Sequence, residues 1–399
     1  MISLIVICLI IFIVGYYFSK RAIFSPTVVS SLLWGGTVLL YLLLYRECAL
    51  PMLGHKFVMG AALWIISFAV GSLLLQTTKL KPIYSAECSG SVMNFFFALS
   101  LCCVPLLIEH LMSALSSGLT SSWAYNLRLS ALGMNEQGEV YTPIYYYLWV
   151  ATYILSLMKA DKKTWYQPVI MGLLLLLFAV VMMAKLNILI FFVITLFLLH
   201  YKGILKIGQI VVGGALMVGV MILLFAMRQD SDTSVLETII DMVDIYALRS
   251  CAAFETLLPA SSAHWGENVF RIVYAIKYKL GFSPIEPIET MLPWISEPAE
   301  TNTYTCMYPF YKDFGFAGIA IFGFLEGAVL GWLFRMHQKG SQYCTALYAY
   351  LFYCVVMQFD SELMVTILSA HIKFAIMIWL PFVVSRYHLL DIRPLSRLK

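Results

Sequence analysis

Thr301–Gly318 reads TNTYTCMYPFYKDFGFAG, a run of rings, hydroxyls and amides that ends in glycine. It closes a polar segment that begins near Arg228. It also opens an apolar run, Phe316 to Phe334, long enough to cross a bilayer. Gly323, Gly327 and Gly331 recur at every fourth residue of that run, a spacing that lets a second helix approach closely. A polar rim joined to a spanning helix decides how the remainder is read. The polar part needs explaining, because nearly everything else is apolar helix.

Of 399 residues, 61% are hydrophobic and 12% charged, and mean hydropathy is +0.85. So few charges do not cover a soluble fold of this size. Runs of about 20 apolar residues recur from end to end, as spanning helices require. Continuous runs exclude a transmembrane β-barrel, whose strands alternate over about 10 residues. The expected fold class is an all-α polytopic membrane protein of about eleven transmembrane helices, within a range of about 10–12. The spans are Met1–Phe18, Phe24–Tyr45, Gly54–Leu75, Ser91–Leu115, Tyr141–Met158, Trp165–Ala184, Leu186–Leu199, Ile204–Met227, Phe316–Phe334 and Cys344–Met357. A last span begins between Glu362 and Phe374 and ends near Ser385. Met1–Phe18 lacks a basic leader and a cleavage site, so it reads as a span and not as a signal peptide. The nine cysteines scatter through apolar runs with no CxxC and no Cys/His ligand spacing. Neither a disulfide framework nor structural zinc is expected.

Lysine and arginine in the short loops set the orientation. Lys20, Arg21, Lys79, Lys81, Lys159, Lys162, Lys163, Lys202, Lys206, Arg335 and Lys339 fall on one side if the spans alternate. The tail adds Arg386, Arg393, Arg397 and Lys399. That side is expected to be cytoplasmic. The chain then divides into an N-terminal bundle, residues 1–227, with an outside loop at 116–140; a large outside loop, 228–315; and C-terminal helices with a basic cytoplasmic tail, 316–399. In the large loop, Val235–Leu258 and Asn268–Leu280 carry apolar residues at helical spacing. They read as amphipathic helices on the membrane surface or capping the bundle. Gly281–Pro298, with Pro284, Pro287, Pro293 and Pro298, reads as extended loop. The net charge of +4 is modest, and no nucleic-acid partner is expected.

Four arginines fall in or beside the outside segments: Arg128 in AYNLRLS, then Arg228, Arg249 and Arg271. A guanidinium fork holds phosphate oxygens in pairs and keeps its charge. Asp230-Ser231-Asp232 has the DxD form of some metal-binding transferases, but polar residues are expected just after a helix end, and no metal is assigned. Glu255, Glu267, Glu286, Glu289, Glu297, Glu300 and Asp313 are carboxylates able to act as general base towards a sugar hydroxyl, and spacing does not choose among them. His264 is another candidate. Asn302, Tyr304, Tyr308, Tyr311 and Asp313 combine ring faces with polar tips, which suits a pyranose with an apolar face and a hydroxylated edge. Plainer roles stand beside each. Arginines snorkel or pair with acids, tyrosines form interfacial belts, and a loop histidine is solvated. Glu326 falls at mid-membrane, where a charge is costly. It pairs with Lys373 only if the last helix starts near Glu362.

TNTYTxxYPFYKDFGFAG followed by a glycine-spaced helix resembles the Wzy-type O-antigen and oligosaccharide repeat-unit polymerases. YNLRL around Arg128 and YALRSCAAFE around Arg249 are similar to that family too, as is one large outside loop before the final helices. The resemblance implies a GT-C-like fold and a multi-pass glycosyltransferase of the bacterial inner membrane, working at the periplasmic face in lipopolysaccharide biosynthesis. Its substrates would be undecaprenyl-diphosphate-linked oligosaccharides in membrane lipid, and a flippase and a chain-length regulator would be its partners. The growing chain would move onto the non-reducing end of a new lipid-linked unit, and undecaprenyl diphosphate would leave. Arg128, Arg249 and Arg271 are expected on diphosphate groups, with Asp313 or Glu255 as base. Asn302, Tyr304, Tyr308, Tyr311, Arg228 and His264 are expected around the substrate. Fixed arginines stabilise the departing anion without reorganising, so neither metal nor cofactor is expected. An O-antigen ligase has a similar architecture. A flippase or transporter would instead be expected to show broken helices and a charged central cavity.

Overall fold

The computed structural model describes residues 1–79, 81, 87–116, 123–131, 143–226, 234–289 and 291–387. Among these residues there is no β-strand, only single bridges of Ile295 with Thr301 and of Thr305 with Ser361. The helices in chain order are α1 (Ile2–Phe18), α2 (Pro26–Leu44), α3 (His55–Thr77), α4 (Gly90–Cys102), α5 (Val104–Ser116), α6 (Trp123–Ala131), α7 (Ile144–Lys159) and α8 (Tyr166–Val181). They continue as α9 (Lys185–Tyr201), α10 (Ile207–Ala226), α11 (Val235–Val243), α12 (Arg249–Phe254), α13 (Arg271–Lys279), α14 (Tyr308–Gln338), α15 (Gln342–Val356) and α16 (Leu368–Arg386).

Each stretch expected to span holds a helix, and among the described residues five helical runs are long and apolar enough to cross a membrane. These are Pro26–Leu44, His55–Thr77, Gly90–Ser113, Tyr308–Gln338 and Leu368–Arg386. The expected Ser91–Leu115 helix is broken at Cys103, just ahead of Pro105. Proline lacks the amide that would continue the ladder. The two amphipathic patterns of the large loop are helical, as α11–α12 and α13, and the proline-rich stretch between α13 and α14 has no regular element. A π-helical turn, Asp244–Leu248, joins α11 to α12.

The chain forms two compact units from interleaved segments: residues 1–82, 233–339 and 351–371 in the first, and 83–232, 340–350 and 372–399 in the second. In the first unit α14 lies along α3. The glycine row does what its spacing predicts. A Cβ at Gly327 would overlap the carbonyl oxygen of Phe68, and one at Gly331 that of Ser72. From the other side, a Cβ at Gly71 would overlap the carbonyl oxygen of Phe324. Backbone meets backbone along this seam, so dispersion and not side-chain interlock holds it.

The rim itself differs from expectation. Tyr308–Phe314 is helical, with Pro309 in the first turn, where its missing amide costs nothing. The break falls at Gly315, whose φ of 62° and ψ of −149° lie where only glycine sits without strain. Phe310 bridges the kink, stacking on Phe322 at 4.8 Å and on Trp64 of α3 at 5.6 Å.

In the second unit α7 is buried from Tyr145 to Leu157, so it is apolar all round where most helices carry one stripe. Its rings fill the core while their polar tips stay paired. Tyr146 stacks on Phe178 at 4.5 Å, Trp149 Nε1 donates to the Ser100 carbonyl at 2.9 Å, and Tyr153 meets Thr195 at 2.7 Å. The outward faces of α1 and α10 expose Leu9, Ile13, Val211, Val212 and Leu216. Contiguous apolar surface of this kind belongs against lipid.

Candidate functional site

Two adjoining cavities open in the first unit beside Ile288, Glu289, Met291 and Leu292, with volumes of about 190 and 220 Å³. Arg271, Asn302, Thr303, Glu362 and Thr366 line the first. Glu267, Pro293 and Lys312 line the second. Asn268, Glu289 and Tyr308 belong to both walls.

Arg271 opens α13. Its Nε donates to the Ile288 carbonyl at 2.6 Å and its Nη1 to the Thr366 carbonyl at 3.5 Å. Those contacts tie α13 to the 288 segment and to the turn before α16. The guanidinium is half-buried and, among the described residues, pairs with no carboxylate: the ion pair found there is Arg249 with Asp244, at 2.7 Å. Burial pushes Arg271 below the ordinary guanidinium range. Arginine nevertheless stays charged in proteins, so the cavity carries a fixed cation that makes no ion pair among the described residues, with Glu289 and Glu362 elsewhere on the same wall.

The opposite wall rests on a strained link. Thr305 has φ 66°, a left-handed conformation rare for a β-branched residue. It is held there by Thr305 N to the Asp360 carbonyl at 3.0 Å, and by Cys306 N to the Gln358 carbonyl at 2.9 Å. Strain of this sort costs about 1–3 kcal/mol and persists only where the surroundings over-determine it. Glu362 fixes the following turn, its carboxylate accepting from the amides of Met364, Val365 and Thr366 at 2.5, 2.8 and 2.7 Å. On the core side Glu362 meets Glu326 of α14, whose buried Oε1 has no hydrogen-bond donor. The neighbour of Glu326 is thus a second carboxyl and not a cation. Lys373 has its ammonium over the Tyr147 ring, 5.4 Å from the centroid.

Of the residues singled out from the sequence, Arg271, Asn302 and Tyr308 come together in the first cavity. Others turn inward and hold structure. Asp313 accepts from Ser262 Oγ at 2.5 Å, Asn268 Nδ2 at 2.6 Å, Val269 N at 2.9 Å and Asn268 N at 3.1 Å. It therefore anchors the loop that presents Asn268 to the cavities. Glu255 accepts from Gly54 N at 2.8 Å and Phe57 N at 3.0 Å, capping α3. Lys56 returns the favour by donating to the carbonyls of Glu255 and Leu257.

Tyr304 donates to the Pro293 carbonyl at 2.8 Å, and burial pushes its hydroxyl up to about 12. Its ring backs Tyr308 at 4.9 Å. Tyr311 packs between Phe254 and Phe316, each at 5.0 Å, and lines a different opening with His55 and Lys56. Arg249 clamps Asp244 and donates to the Glu300 carbonyl at 3.0 Å, which ties the π-helical turn to the loop. Burial raises the Asp244 carboxyl while Arg249 opposes the shift. His264 is exposed, with its ring 6.5 Å from Tyr274. Arg128 lies on α6 in the second unit, with its side chain outside the described residues. Arg228, Asp230 and Asp232 lie outside them altogether.

No motif or spacing singles out Asn268, Thr303, Lys312 or Glu362. Asn268 sits three residues before Arg271, in the turn that leads into α13. Comparison with family models, with curated proteins and with solved structures gives no match to this chain.

Proposed function

We propose that this chain is a glycosyltransferase that polymerises undecaprenyl-diphosphate-linked oligosaccharide repeat units at the periplasmic face of the bacterial inner membrane. The observation that carries the reading is Arg271: a half-buried guanidinium fixed by two backbone carbonyls and without an ion-pair partner among the described residues, in a cavity that also holds Asn268, Asn302, Thr303, Tyr308 and the carboxylates of Glu289 and Glu362. An unpaired buried cation suits an anionic ligand. Asn268, Asn302, Thr303 and Tyr308 supply both donors and acceptors for sugar hydroxyls. As the bond to the anomeric carbon breaks, negative charge grows on the diphosphate. A cation already fixed by backbone carbonyls stabilises that charge without rearranging. The short pattern around Thr301–Gly318 and Arg249 supplies the family and the choice of carrier lipid.

The test is transfer by the purified protein in lipid nanodiscs, with an undecaprenyl-diphosphate-linked repeat unit as the sole substrate and products resolved as a ladder. Arg271→Ala should lower turnover by about 10²–10³. A normal ladder from that variant removes Arg271 from the chemistry. Transfer to a lipid A core acceptor, with no ladder from repeat units, makes the protein a ligase.

A further inference from the structure

We infer that the two adjoining cavities are paired sugar subsites, with Glu289 on their shared wall as the general base that activates the acceptor hydroxyl. The inference rests on the proposed glycosyl transfer. Such a reaction needs two sugars side by side: one whose anomeric carbon is attacked and one whose hydroxyl attacks. Each cavity, at about 190 and 220 Å³, has room for a sugar ring.

Each sets one cation beside two carboxylates, and the cations differ. The first holds Arg271 with Glu289 and Glu362 and takes the donor, whose leaving group is a diphosphate that a guanidinium fork grips in pairs of oxygens. The second holds Lys312 with Glu267 and Glu289 and takes the acceptor, a neutral polyol. Lys312 Nζ donates to Tyr308 Oη at 3.0 Å, so the ammonium and the shared ring move as one wall.

Glu289 is selected by position and by elimination. It lines both cavities, where the attacking oxygen must approach the anomeric carbon. The residue before it is pinned, because the Ile288 carbonyl accepts from Arg271 Nε at 2.6 Å. That bond couples the base to the cation holding the leaving group. Leu292, on its other side, packs against Ala253, Tyr304 and Tyr308. The neighbouring carboxylates are engaged. Asp313 holds Ser262, Asn268 and Val269. Glu267 holds the Ala263 and His264 amides, Glu286 holds Tyr278 Oη at 2.7 Å, and Glu362 holds three amides. Glu289 makes no hydrogen bond or ion pair among the described residues and is exposed, so its oxygens are available.

In the step, the acceptor O–H proton passes to the Glu289 carboxylate as the oxygen bonds to the anomeric carbon. The bond from that carbon to the diphosphate oxygen breaks, and its electron pair leaves on the diphosphate beside Arg271. Glu289 then returns its proton to water.

The experiment compares wild type, Glu289→Gln and Glu289→Ala in nanodiscs. It follows turnover of the lipid-linked repeat unit and, separately, binding of undecaprenyl diphosphate. An exposed side chain with no structural partner leaves folding intact when replaced. Glu289→Gln should lose about 10²–10⁴ in turnover and bind undecaprenyl diphosphate within about threefold of wild type. Formate should restore part of the Glu289→Ala rate. Glu289→Gln turning over within about tenfold of an active wild type overturns the base assignment and leaves glycosyl transfer standing. So does a loss matched by equally weakened lipid binding. No transfer by wild type overturns both readings.

Discussion

Asp313→Asn separates two roles for the acid in the rim. The sequence points to Asp313 as a candidate base, whereas the structure gives it a loop to hold. Its two oxygens accept from two backbone amides, Asn268 N and Val269 N, and from two side chains, Ser262 Oγ and Asn268 Nδ2. Asparagine keeps one acceptor and turns the other into a donor. The backbone amides have nowhere to turn, so the carbonyl stays with them and the new NH₂ faces Ser262 and the Asn268 amide. The hydroxyl rotates, and the Asn268 side chain flips to offer its oxygen. Part of the loss is thus recovered. Each hydrogen bond to a charged group contributes about 1.5–3 kcal/mol, so losing two with partial repair costs about 3 kcal/mol. Asp313→Ala repairs none of them and costs about 5 kcal/mol or more on the same scale. Unfolding in detergent reads the cost, and hydrogen exchange at the Asn268 and Val269 amides shows whether the loop is released. If Asp313→Ala melts within about 0.5 kcal/mol of wild type with both amides still protected, the anchoring argument fails. Should such a variant also lose turnover, Asp313 belongs to the chemistry.

Gly327→Ala should destabilise by about 1–3 kcal/mol, because its Cβ meets the Phe68 carbonyl on α3. Gly36→Ala, with nothing within 4 Å of the added carbon, should be neutral or stabilising by up to about 1 kcal/mol. Equal melting shifts for the two would refute the close-packing account. Burial pushes the Asp360 carboxyl up to about 7 from 3.8, with Ser361 opposing. Between those values the folded state binds the extra proton, so stability falls as pH rises from about 4 to 7, by about 4 kcal/mol in all. Asp360→Asn, neutral throughout, should therefore melt above wild type at pH 8 and level with it near pH 4. A pH-independent difference contradicts the sign. Glu255→Ala should cost about 1–2 kcal/mol through the lost cap on α3, measured by unfolding, with turnover per folded molecule unchanged.

Legibility in the sequence followed the range of the interaction. Apolar runs, the glycine row and the helical periods of Val235–Leu258 and Asn268–Leu280 are local statements about one helix and its face. Each has one cheap physical reading, and each was found as a helix. The rim was not legible in this way: Tyr308-Pro309 has the form of a helix start, yet among so many polar residues the helix is expected only from Phe316. The site was legible only in part, because its polar groups choose partners far along the chain. Asp313 reaches 45 residues back to Asn268, and Glu255 reaches 201 residues back to Gly54. No spacing rule finds such pairs. Glu362 escaped for another reason: it stands between two apolar helices, where a polar residue looks like an ordinary boundary.

Buried polar groups in a mostly apolar chain satisfy one another first, because leaving one unmade costs more than making it gains. Most of the polar residues that crowd Thr301–Gly318 do this. Asp313 is saturated, Tyr304 donates to Pro293, and Lys312 donates to Tyr308. Density of polar residues therefore points to scaffolding as readily as to chemistry. The sharper signal is a charge that the fold has positioned but not paired. Arg249 and Arg271 make the contrast: both are held by backbone carbonyls, yet among the described residues only Arg249 is in an ion pair. Fixing a guanidinium and withholding its counter-ion costs stability that a simple substitution would recover. A site that binds an anion returns that cost on binding, and a purely structural arginine does not. The rim then has a definite task. It holds Asn268 and Tyr308 in place, with Ile288, Glu289, Met291 and Leu292, around a cation free of any ion pair among the described residues.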